Sequence, residues 1–258
     1  MNYGLNLAAS GVMTSMYRQD VLANNLANVE TVAFKADLPF TRQRGAVRAE
    51  DGLGHLPSNE MLERLGGGVL LMPNRTNFEQ GAVLQNGNDM NLAIEGEGFF
   101  VASSGQGSDS ERYRLTRDGR LALDDRGRLV TAGEGLPVLD TNDRPITLDA
   151  GLFTIERDGT VRQGGDVVAQ LQLATVPDTA TLQKAGGNLF KAPATTIASR
   201  RPATGSIVQG AVEQSTVDPI EAIMGITSAT SNVQNNARMI QMLDELMGRA
   251  INTFGRVA

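Results

Sequence analysis

The chain has 258 residues, with 23 Lys and Arg against 29 Asp and Glu, one His and no Cys. A formal net charge of −6 argues against a broad nucleic-acid or anionic-membrane surface. The lack of Cys excludes disulfides, thiolate metal sites and cysteine nucleophiles, and His55 as the sole imidazole excludes paired-histidine metal sites. We therefore expect no metal and no cofactor.

Helix-breaking residues are concentrated in the middle of the chain. No Pro lies before residue 39 or after residue 219, and 24 of the 29 Gly lie between residues 45 and 210. Because Pro costs about 3 kcal/mol and Gly about 1 kcal/mol inside a helix, the two ends are predicted to be helical and the middle is not. No apolar run approaches the ~20 residues of a spanning helix, and no cleavable signal is visible near the start. We expect no membrane insertion.

The first segment carries a heptad pattern. A seam of positions at alternating spacings of four and three residues comprises Leu5, Ala9, Val12, Met16, Gln19, Ala23 and Leu26, and all are apolar except Gln19. This periodicity predicts an amphipathic helix over residues 4–33.

The last segment begins with a helix-start signal and carries the same pattern. Asp218 is suited to the N-cap, Pro219 to the first helical position and Glu221 to the third, so a helix is predicted over residues 219–254. We expect the seams of the two helices to form an assembly interface, whose chosen members are Leu5, Val12, Met16, Leu26, Ile226, Val233, Ile240, Met247, Ile251 and Phe254.

Two arrangements of these helices remain open. One is an antiparallel hairpin within a single chain. The other buries the helices among neighbouring subunits and leaves them disordered in the monomer. The charges within residues 1–35 cancel, as do those within residues 219–258, and the outward faces carry mainly Asn, Gln, Ser and Thr. A solvated coiled coil usually carries dense Glu and Lys there, so the second arrangement is favoured.

The middle of the chain has the alternation typical of strands. Short alternating segments predict strands at residues 91–95, 99–101, 113–116, 120–123, 128–131, 153–155, 160–161 and 167–176. Turns are predicted at Asp118-Gly119, Asp124–Gly127 and Asp158-Gly159. Together they indicate a compact antiparallel β domain, preceded by an extended connector over residues 36–80.

The sequence carries no recognisable catalytic motif. Gly96-Glu97-Gly98 lacks the third Gly of a dinucleotide loop and precedes a strand, and the run from Asp140 to Pro145 has Arg and Pro where a calcium loop needs a ligand and Gly. No enzymatic function is expected.

Four motifs carry a resemblance to a known family. Residues 23–35 read ANNLANVETVAFK, residues 94–100 read IEGEGFF, residues 116–119 read TRDG and residues 217–221 read VDPIE. In this order they resemble the signatures of bacterial flagellar rod and hook proteins. The matching positions are Asn24, Asn25, Leu26, Ala27, Asn28, Phe34, Gly96, Gly98, Asp118, Gly119, Asp218 and Pro219. Ala33 stands where the family usually has Gly, so a less left-handed backbone is expected there.

The resemblance implies a structural subunit of the flagellar basal-body rod with an α+β fold. It implies a coiled-coil-like D0 domain from residues 1–35 and 211–258, the connector 36–80, and a central antiparallel all-β D1 domain at residues 81–210. The implied partners are copies of itself, other rod proteins and the flagellar type III export apparatus, with no nucleic acid. The implied location is the periplasmic rod, reached without signal cleavage. The alternatives are a distal-rod or hook subunit, or a secreted adhesin-like β module on a coiled-coil stalk.

Overall fold

The computed structural model describes residues 3–52, 55, 57, 66–105, 107–149 and 151–254. The chain divides into two compact units. The helical unit comprises residues 1–27, 37–75 and 218–258, and the central unit comprises residues 28–36 and 76–217. Each unit is therefore assembled from segments that are far apart in the sequence.

Two long helices and a β-ribbon build the helical unit. The N-terminal helix spans Tyr3–Ala27 and the C-terminal helix spans Pro219–Phe254. Strands β1 (Asp37–Gln43) and β2 (Val69–Thr76) form a two-stranded ribbon within the segment predicted as a connector, which also holds a short helix at Val47–Glu50. The described residues contain no helix long and apolar enough to cross a membrane.

The two long helices pack against each other in opposite directions. A Cβ atom on Gly11 would lie 2.9 Å from Asn236 Nδ2, and one on Gly225 would lie 2.7 Å from Leu22 Cδ1. A contact later in the N-terminal helix therefore involves an earlier residue of the C-terminal helix, which makes the pair antiparallel. The two glycines allow this close approach, because a larger residue at either position would force its neighbour to move.

The N-terminal helix ends at Ala27, six residues before the predicted end at residue 33. The backbone turns instead, with the Thr31 amide donating to the Asn28 carbonyl at 3.1 Å. Further along, the Ala33 amide donates to the Glu213 carbonyl, and Asn188 Nδ2 donates to the Val32 carbonyl. Tertiary hydrogen bonds thus satisfy the backbone groups that a continued helix would have paired.

The central unit is an antiparallel β structure with short helical turns at Asp109–Arg112, Thr179–Thr181 and Ala194–Ala198. Its strands are β3 (Val83–Gln85), β4 (Leu92–Glu95), β5 (Phe99–Ser103), β6 (Tyr113–Thr116), β7 (Leu121–Leu123), β8 (Leu129–Thr131), β9 (Phe153–Ile155), β10 (Thr160–Gln163), β11 (Asp166–Gln170), β12 (Leu173–Thr175), β13 (Gln183–Gly186), β14 (Leu189–Lys191), β15 (Arg201–Pro202), β16 (Ser206–Gln209) and β17 (Ala211–Glu213).

These strands form several small sheets. The largest has the order β13-β14-β6-β5-β12-β15, and a second has the order β11-β10-β9. The remaining pairs are β16-β4, β17-β3 and β7-β8. Two apolar cores result, one around Phe100, Val161 and Ile207 and the other around Phe99 and Phe190.

Two of the predicted hairpins are confirmed. β7 and β8 pair across the turn that begins at Asp124, and β9 and β10 pair across the turn at Asp158-Gly159. In both turns the Asp side chain accepts backbone amides two residues ahead, which is the local bonding that makes Asp a turn residue.

The predicted hairpin at Asp118-Gly119 is wrong, because β6 pairs with β5 and β14 while β7 pairs with β8. Instead, the Gly119 carbonyl accepts the Leu92 amide at 2.9 Å. A Cβ on Gly119 would lie 1.8 Å from the Leu92 carbonyl oxygen, so this Gly permits a close crossing of two chain segments.

The single strand predicted over residues 167–176 is also wrong in its extent. β11 pairs with β10, whereas β12 pairs with β5 in another sheet. Between them the Leu171 amide donates to the Gly159 carbonyl, and the Gln172 amide donates to the Leu139 carbonyl. The alternating apolar pattern therefore runs without a break through residues 167–176, although the strands at its two ends belong to different sheets.

Candidate assembly surface and buried motif cluster

Exposed apolar side chains are concentrated in the helical unit. Of the 18 large apolar residues exposed in the described part of the chain, 14 belong to this unit. They are Met13, Met16, Leu38, Phe40, Leu70, Leu71, Met72, Ile220, Ile223, Met224, Met239, Met242, Leu246 and Ile251. A concentration of exposed apolar side chains in one unit makes that unit the candidate for binding another protein.

The C-terminal helix presents exposed apolar residues on the side opposite its packed face. Ile220 and Met224 lie near its start, and Met242 and Leu246 lie near its end. At 100° per residue these four positions share one side of the helix, whereas the buried Ala222 and Ala229 lie on the other. We name the side with Ile220, Met224, Thr227, Ser231, Met242 and Leu246 the outer stripe.

Two hydroxyls in the middle of the outer stripe are satisfied by their own helix. The Thr227 hydroxyl donates to the Ile223 carbonyl at 2.9 Å, and the Ser231 hydroxyl donates to the Thr227 carbonyl at 3.0 Å. A partner can cover these hydroxyls without leaving an unpaired donor. The exposed Arg238 lies on the same side of the helix, so a partner must leave it in water or supply an acidic group.

A buried ion cluster lies in the central unit. Lys35 Nζ is 2.6 Å from Glu213 Oε1, and neither side chain is exposed. Arg117 Nη1 lies 3.4 Å from Glu213 Oε2, and the Gly81 amide donates to Glu213 Oε1 at 2.9 Å. One carboxylate therefore accepts from two cations and one backbone amide.

Backbone carbonyls and an aromatic ring complete this cluster. Lys35 Nζ also donates to the Glu79 carbonyl, and Arg117 Nη2 donates to the Gly96 carbonyl at 2.9 Å. The Arg117 guanidinium lies 5.4 Å from the centre of the Phe99 ring. The motif residues Lys35, Gly96, Phe99 and Arg117 are thus brought together at one place in the fold.

Burial opposes the charged state of both cations. It lowers the pKa of Lys35, although the hydrogen bond that Lys35 donates to Glu213 raises that pKa in part. Burial likewise lowers the pKa of Arg117, against the attraction of Glu213. The cations are tolerated because Glu213 compensates them, and removing Glu213 alone leaves two buried charges without their anion.

Three protein-family models match successive segments of the chain. They are the flagella basal body rod protein at residues 5–35, the flagellar hook protein FlgE/F/G D1 domain at residues 93–163 and the flagellar basal body rod FlgEFG protein C-terminal at residues 208–253. The flagellar basal-body rod protein FlgF of Caulobacter vibrioides is 34% identical over 100% of both chains. The chain belongs to the flagellar basal-body rod protein family.

Other rod-family proteins also match over nearly their full lengths. The flagellar basal-body rod protein FlgG of Bacillus subtilis is 29% identical over 94% of this chain and 96% of its own. The flagellar basal-body rod protein FlgF of Mesorhizobium japonicum is 27% identical over 99% of both. As a rod-family member, the chain is a structural subunit of the flagellar basal body.

The predicted interface residues have different environments within this rod-family fold. Met16 is 51% exposed and Ile251 is 71% exposed. The half-buried members are Leu5, Val12, Leu26, Ile226, Val233, Ile240 and Met247. The side chain of Phe254 lies outside the described residues. The predicted seam of the N-terminal helix thus lies beside its packed face, and Met16 remains open to a partner.

The first rod-family motif spans the end of the N-terminal helix and the start of the central unit. Within it Asn25 is buried, Leu26 and Asn28 are half-buried, and Asn24 and Ala27 are exposed. Asn25 Nδ2 donates to the Asp37 carbonyl at 2.8 Å, so this side chain fixes the start of β1. Phe34 is buried beneath Lys184, whose Nζ lies 4.2 Å from the ring centre.

The expectation of a less left-handed backbone at Ala33 is wrong. Ala33 has a φ of +56° and is buried. Its amide donates to the Glu213 carbonyl at 2.7 Å, and the next residues carry Lys35 into the ion cluster. The chain direction required by these contacts imposes the left-handed conformation on a residue that has a Cβ.

The remaining motif residues have identifiable structural roles. Gly98 has a φ of +141°, and a Cβ there would lie 2.7 Å from the Ala203 Cβ. Asp118 Oδ2 accepts from Arg120 Nη2 at 2.6 Å. Pro219 opens the C-terminal helix, and Asp218 Oδ1 accepts the amides of Ile220 and Glu221 at 2.8 and 3.1 Å, so the predicted N-cap is confirmed.

Sequence reasoning missed Glu213. It lies in the buried strand β17, between the apolar Val212 and the exposed Gln214. A charged residue ending a short apolar run was the available signal, since a buried carboxylate in a strand requires a buried cation. Among the described residues, no cluster of three or more His, Asp or Glu side chains could hold a metal ion.

Proposed function

We propose that this chain polymerises helically as an FlgF-type rod subunit, with the helical unit forming the subunit contacts and the central unit facing solvent. The assembled rod would act as the shaft that transmits torque for motility. The observation that carries the proposal is the concentration of exposed apolar residues in the helical unit. Subunit association would cover these side chains and add hydrophobic stabilisation to the assembly.

The charge distribution supports the same division of roles. The helical unit has 9 Lys and Arg against 10 Asp and Glu, whereas the central unit has 14 against 19. Because its net charge is close to zero, copies of the helical unit can approach one another without strong net repulsion. A net acidic unit remains well solvated and resists nonspecific association.

The FlgF assignment is supported by the 34% identity to the Caulobacter protein, compared with 29% for FlgG of Bacillus subtilis. A distal-rod subunit of the FlgG type is the alternative within the family. We further propose that the chain reaches the periplasmic rod through the flagellar type III export apparatus without cleavage. Mass spectrometry of protein recovered from basal bodies should find an N-terminus at residue 1 or 2, and processing at residues 20–30 would contradict this.

The assembly proposal is tested on the outer stripe. Met242→Asp and Leu246→Asp each place a charge on an exposed side chain, at 60% and 61% exposure, and should leave the monomer folded. In a strain lacking the native gene, both variants should fail to enter basal bodies and to restore motility. Burying an unpaired carboxylate in the subunit contact strongly disfavours association.

Gln241→Asp is the matched control, because Gln241 is exposed on the same helix beside Met242. This variant should retain incorporation and motility. Ile240→Asp is less informative, since Ile240 is half-buried on the packed side and the substitution should also weaken the monomer. Normal rods from both stripe variants would reject the outer stripe as a contact surface.

A further inference from the structure

Glu213 connects three distant segments of the central unit. Its carbonyl accepts the Ala33 amide at 2.7 Å, while its carboxylate binds Lys35 at 2.6 Å and accepts the Gly81 amide at 2.9 Å. The same carboxylate faces Arg117 at 3.4 Å. We propose that Glu213 is the closing residue of the central unit, which completes its fold only when β17 joins the ion cluster.

Chain order makes this closure late. Glu213 follows Lys35 by 178 residues and Arg117 by 96 residues. Because synthesis proceeds from the N-terminus, both cations exist for most of the production of the chain without their anion. Burying either cation in that interval would leave it without the carboxylate that contacts it directly, so the segment 28–36 packs weakly before Glu213 arrives.

Other parts of the central unit need no such delay. The hairpins β7–β8 and β9–β10 join neighbouring segments, and their turns are stabilised by local Asp side chains. Contacts between neighbouring segments form faster than contacts across long sequence separations. The unit therefore assembles its hairpins first and closes at residues 33–35, 81 and 213.

This closing step gives the chain a built-in delay before its fold is complete. Under the proposed function, a subunit that stays open until β17 arrives remains suitable for export as an unfolded chain. The delay itself is a property of the monomer. Its test is therefore independent of rod assembly.

The test is refolding of the full-length chain from urea, followed by pulsed hydrogen exchange and mass spectrometry. The amides of Ala33 and Gly81 should become protected together, in the final phase, at least several-fold more slowly than the amides of β7 and β8. The Gln214 amide, which donates to the Ala82 carbonyl at 2.8 Å, should follow the same phase. Protection of Ala33 and Gly81 as early as the hairpins would overturn the proposal.

Variants separate the closing role from general stability. Glu213→Gln keeps the shape of the side chain but removes the anion, so protection at Ala33 and Gly81 should fall several-fold while the β7–β8 hairpin is unaffected. Glu134→Gln changes an exposed Glu of the same unit and should alter neither. An unchanged order and extent of protection in Glu213→Gln would reject the closing role.

If the Glu213→Gln variant does not fold, the Lys35→Met variant provides the test instead. It removes one buried cation and leaves Glu213 to compensate Arg117. In that variant the hairpins should still precede the protection of Gly81. Simultaneous protection of the hairpins and Gly81 would again reject the proposal. Failure of the outer-stripe variants to block assembly would contradict the proposed function without bearing on this result.

Discussion

The side chain of Asn25 pairs with the backbone of Asp37 as a neighbouring strand would. Asn25 Nδ2 donates to the Asp37 carbonyl at 2.8 Å, and Asn25 Oδ1 accepts the Asp37 amide at 3.0 Å. Asn25 is only 4% exposed. One residue of the N-terminal helix thus satisfies both backbone groups at the first position of β1.

Asn25→Ala should lower the free energy of unfolding of the helical unit by about 2 kcal/mol, because two backbone groups lose their partner. Asn6→Ala is the control, since Asn6 is exposed in the same helix and the change there should be neutral or slightly stabilising. Urea unfolding followed by circular dichroism measures both. Equal effects of the two substitutions would show that the paired contact contributes nothing.

Ala33→Gly should leave the stability nearly unchanged, although it removes a buried methyl group. The left-handed φ of +56° costs an alanine about 1–2 kcal/mol, and glycine avoids that cost. Glycine loses more conformational entropy on folding, by about 0.5–1 kcal/mol, and the lost burial of the methyl group costs about 0.8 kcal/mol, so these losses offset the relief of strain.

Ala36→Gly is the matched control for Ala33→Gly. Ala36 is also buried in this segment but is not among the described non-glycine residues with positive φ, so glycine there loses the methyl group and conformational entropy with no relief of strain. Thermal unfolding should place the Ala33→Gly variant close to wild type and the Ala36→Gly variant clearly below it. Equal losses in the two variants would show that the backbone at Ala33 is not strained.

Asp124 should make the central unit sensitive to acid. The backbone hydrogen bond from Arg128 is the largest of several contacts that hold the pKa of Asp124 below 3.8. A carboxyl whose pKa is lower in the folded state stabilises the fold above its unfolded pKa. It loses that contribution as the pH falls through the folded value.

Asp124→Asn tests this linkage. The difference in unfolding midpoint between wild type and variant should be constant from about pH 5 to pH 7 and should shrink as the pH falls below the unfolded pKa of about 4. Asp125→Asn, in an exposed position of the same turn, should show a smaller difference over the whole range. A difference for Asp124→Asn that grows toward low pH would have the wrong sign and would refute the argument.

The sequence predicted those elements whose determinants are local. The C-terminal helix starts at Pro219 because the side chain of the preceding residue, Asp218, accepts the Ile220 amide and caps the helix. The β7–β8 hairpin forms because Asp124 bonds the amides of Arg126 and Arg128. Each of these features depends on residues within four positions of one another, so a single chain segment contains the whole signal.

The failed predictions involve partners that are distant in the sequence. Asp118-Gly119 has the composition of a hairpin turn. The Leu92 amide, however, donates a hydrogen bond to the Gly119 carbonyl, and the chain does not return to pair with β6. Ala33 adopts a left-handed conformation because of Glu213, which lies 180 residues away and carried no motif. The sequence located Lys35 and Arg117 through their motifs, but it could not indicate which carboxylate compensates them.

The pairing of the two long helices bears on the state of the free subunit. Sequence periodicity favoured helices that are ordered by neighbouring subunits, with an intramolecular hairpin as the alternative. The structure packs Gly11 against Asn236 and Leu22 against Gly225 within one chain. We therefore predict that hydrogen exchange of a dilute, verified monomer will protect the central turns of both helices, from about residue 8 to residue 22 and from about residue 225 to residue 240.

Gly225→Leu should weaken this pairing, because even a Cβ there lies 2.7 Å from Leu22 Cδ1. Gly248→Leu is the matched control in the same helix, where no atom lies within 4 Å of a Cβ and the gain in helix propensity is about 0.8 kcal/mol. Protection of the N-terminal helix should fall in the first variant and persist in the second. If the monomer leaves both helices unprotected, Gly225→Leu will have no effect on exchange, and the helices must gain their order from other subunits in the rod.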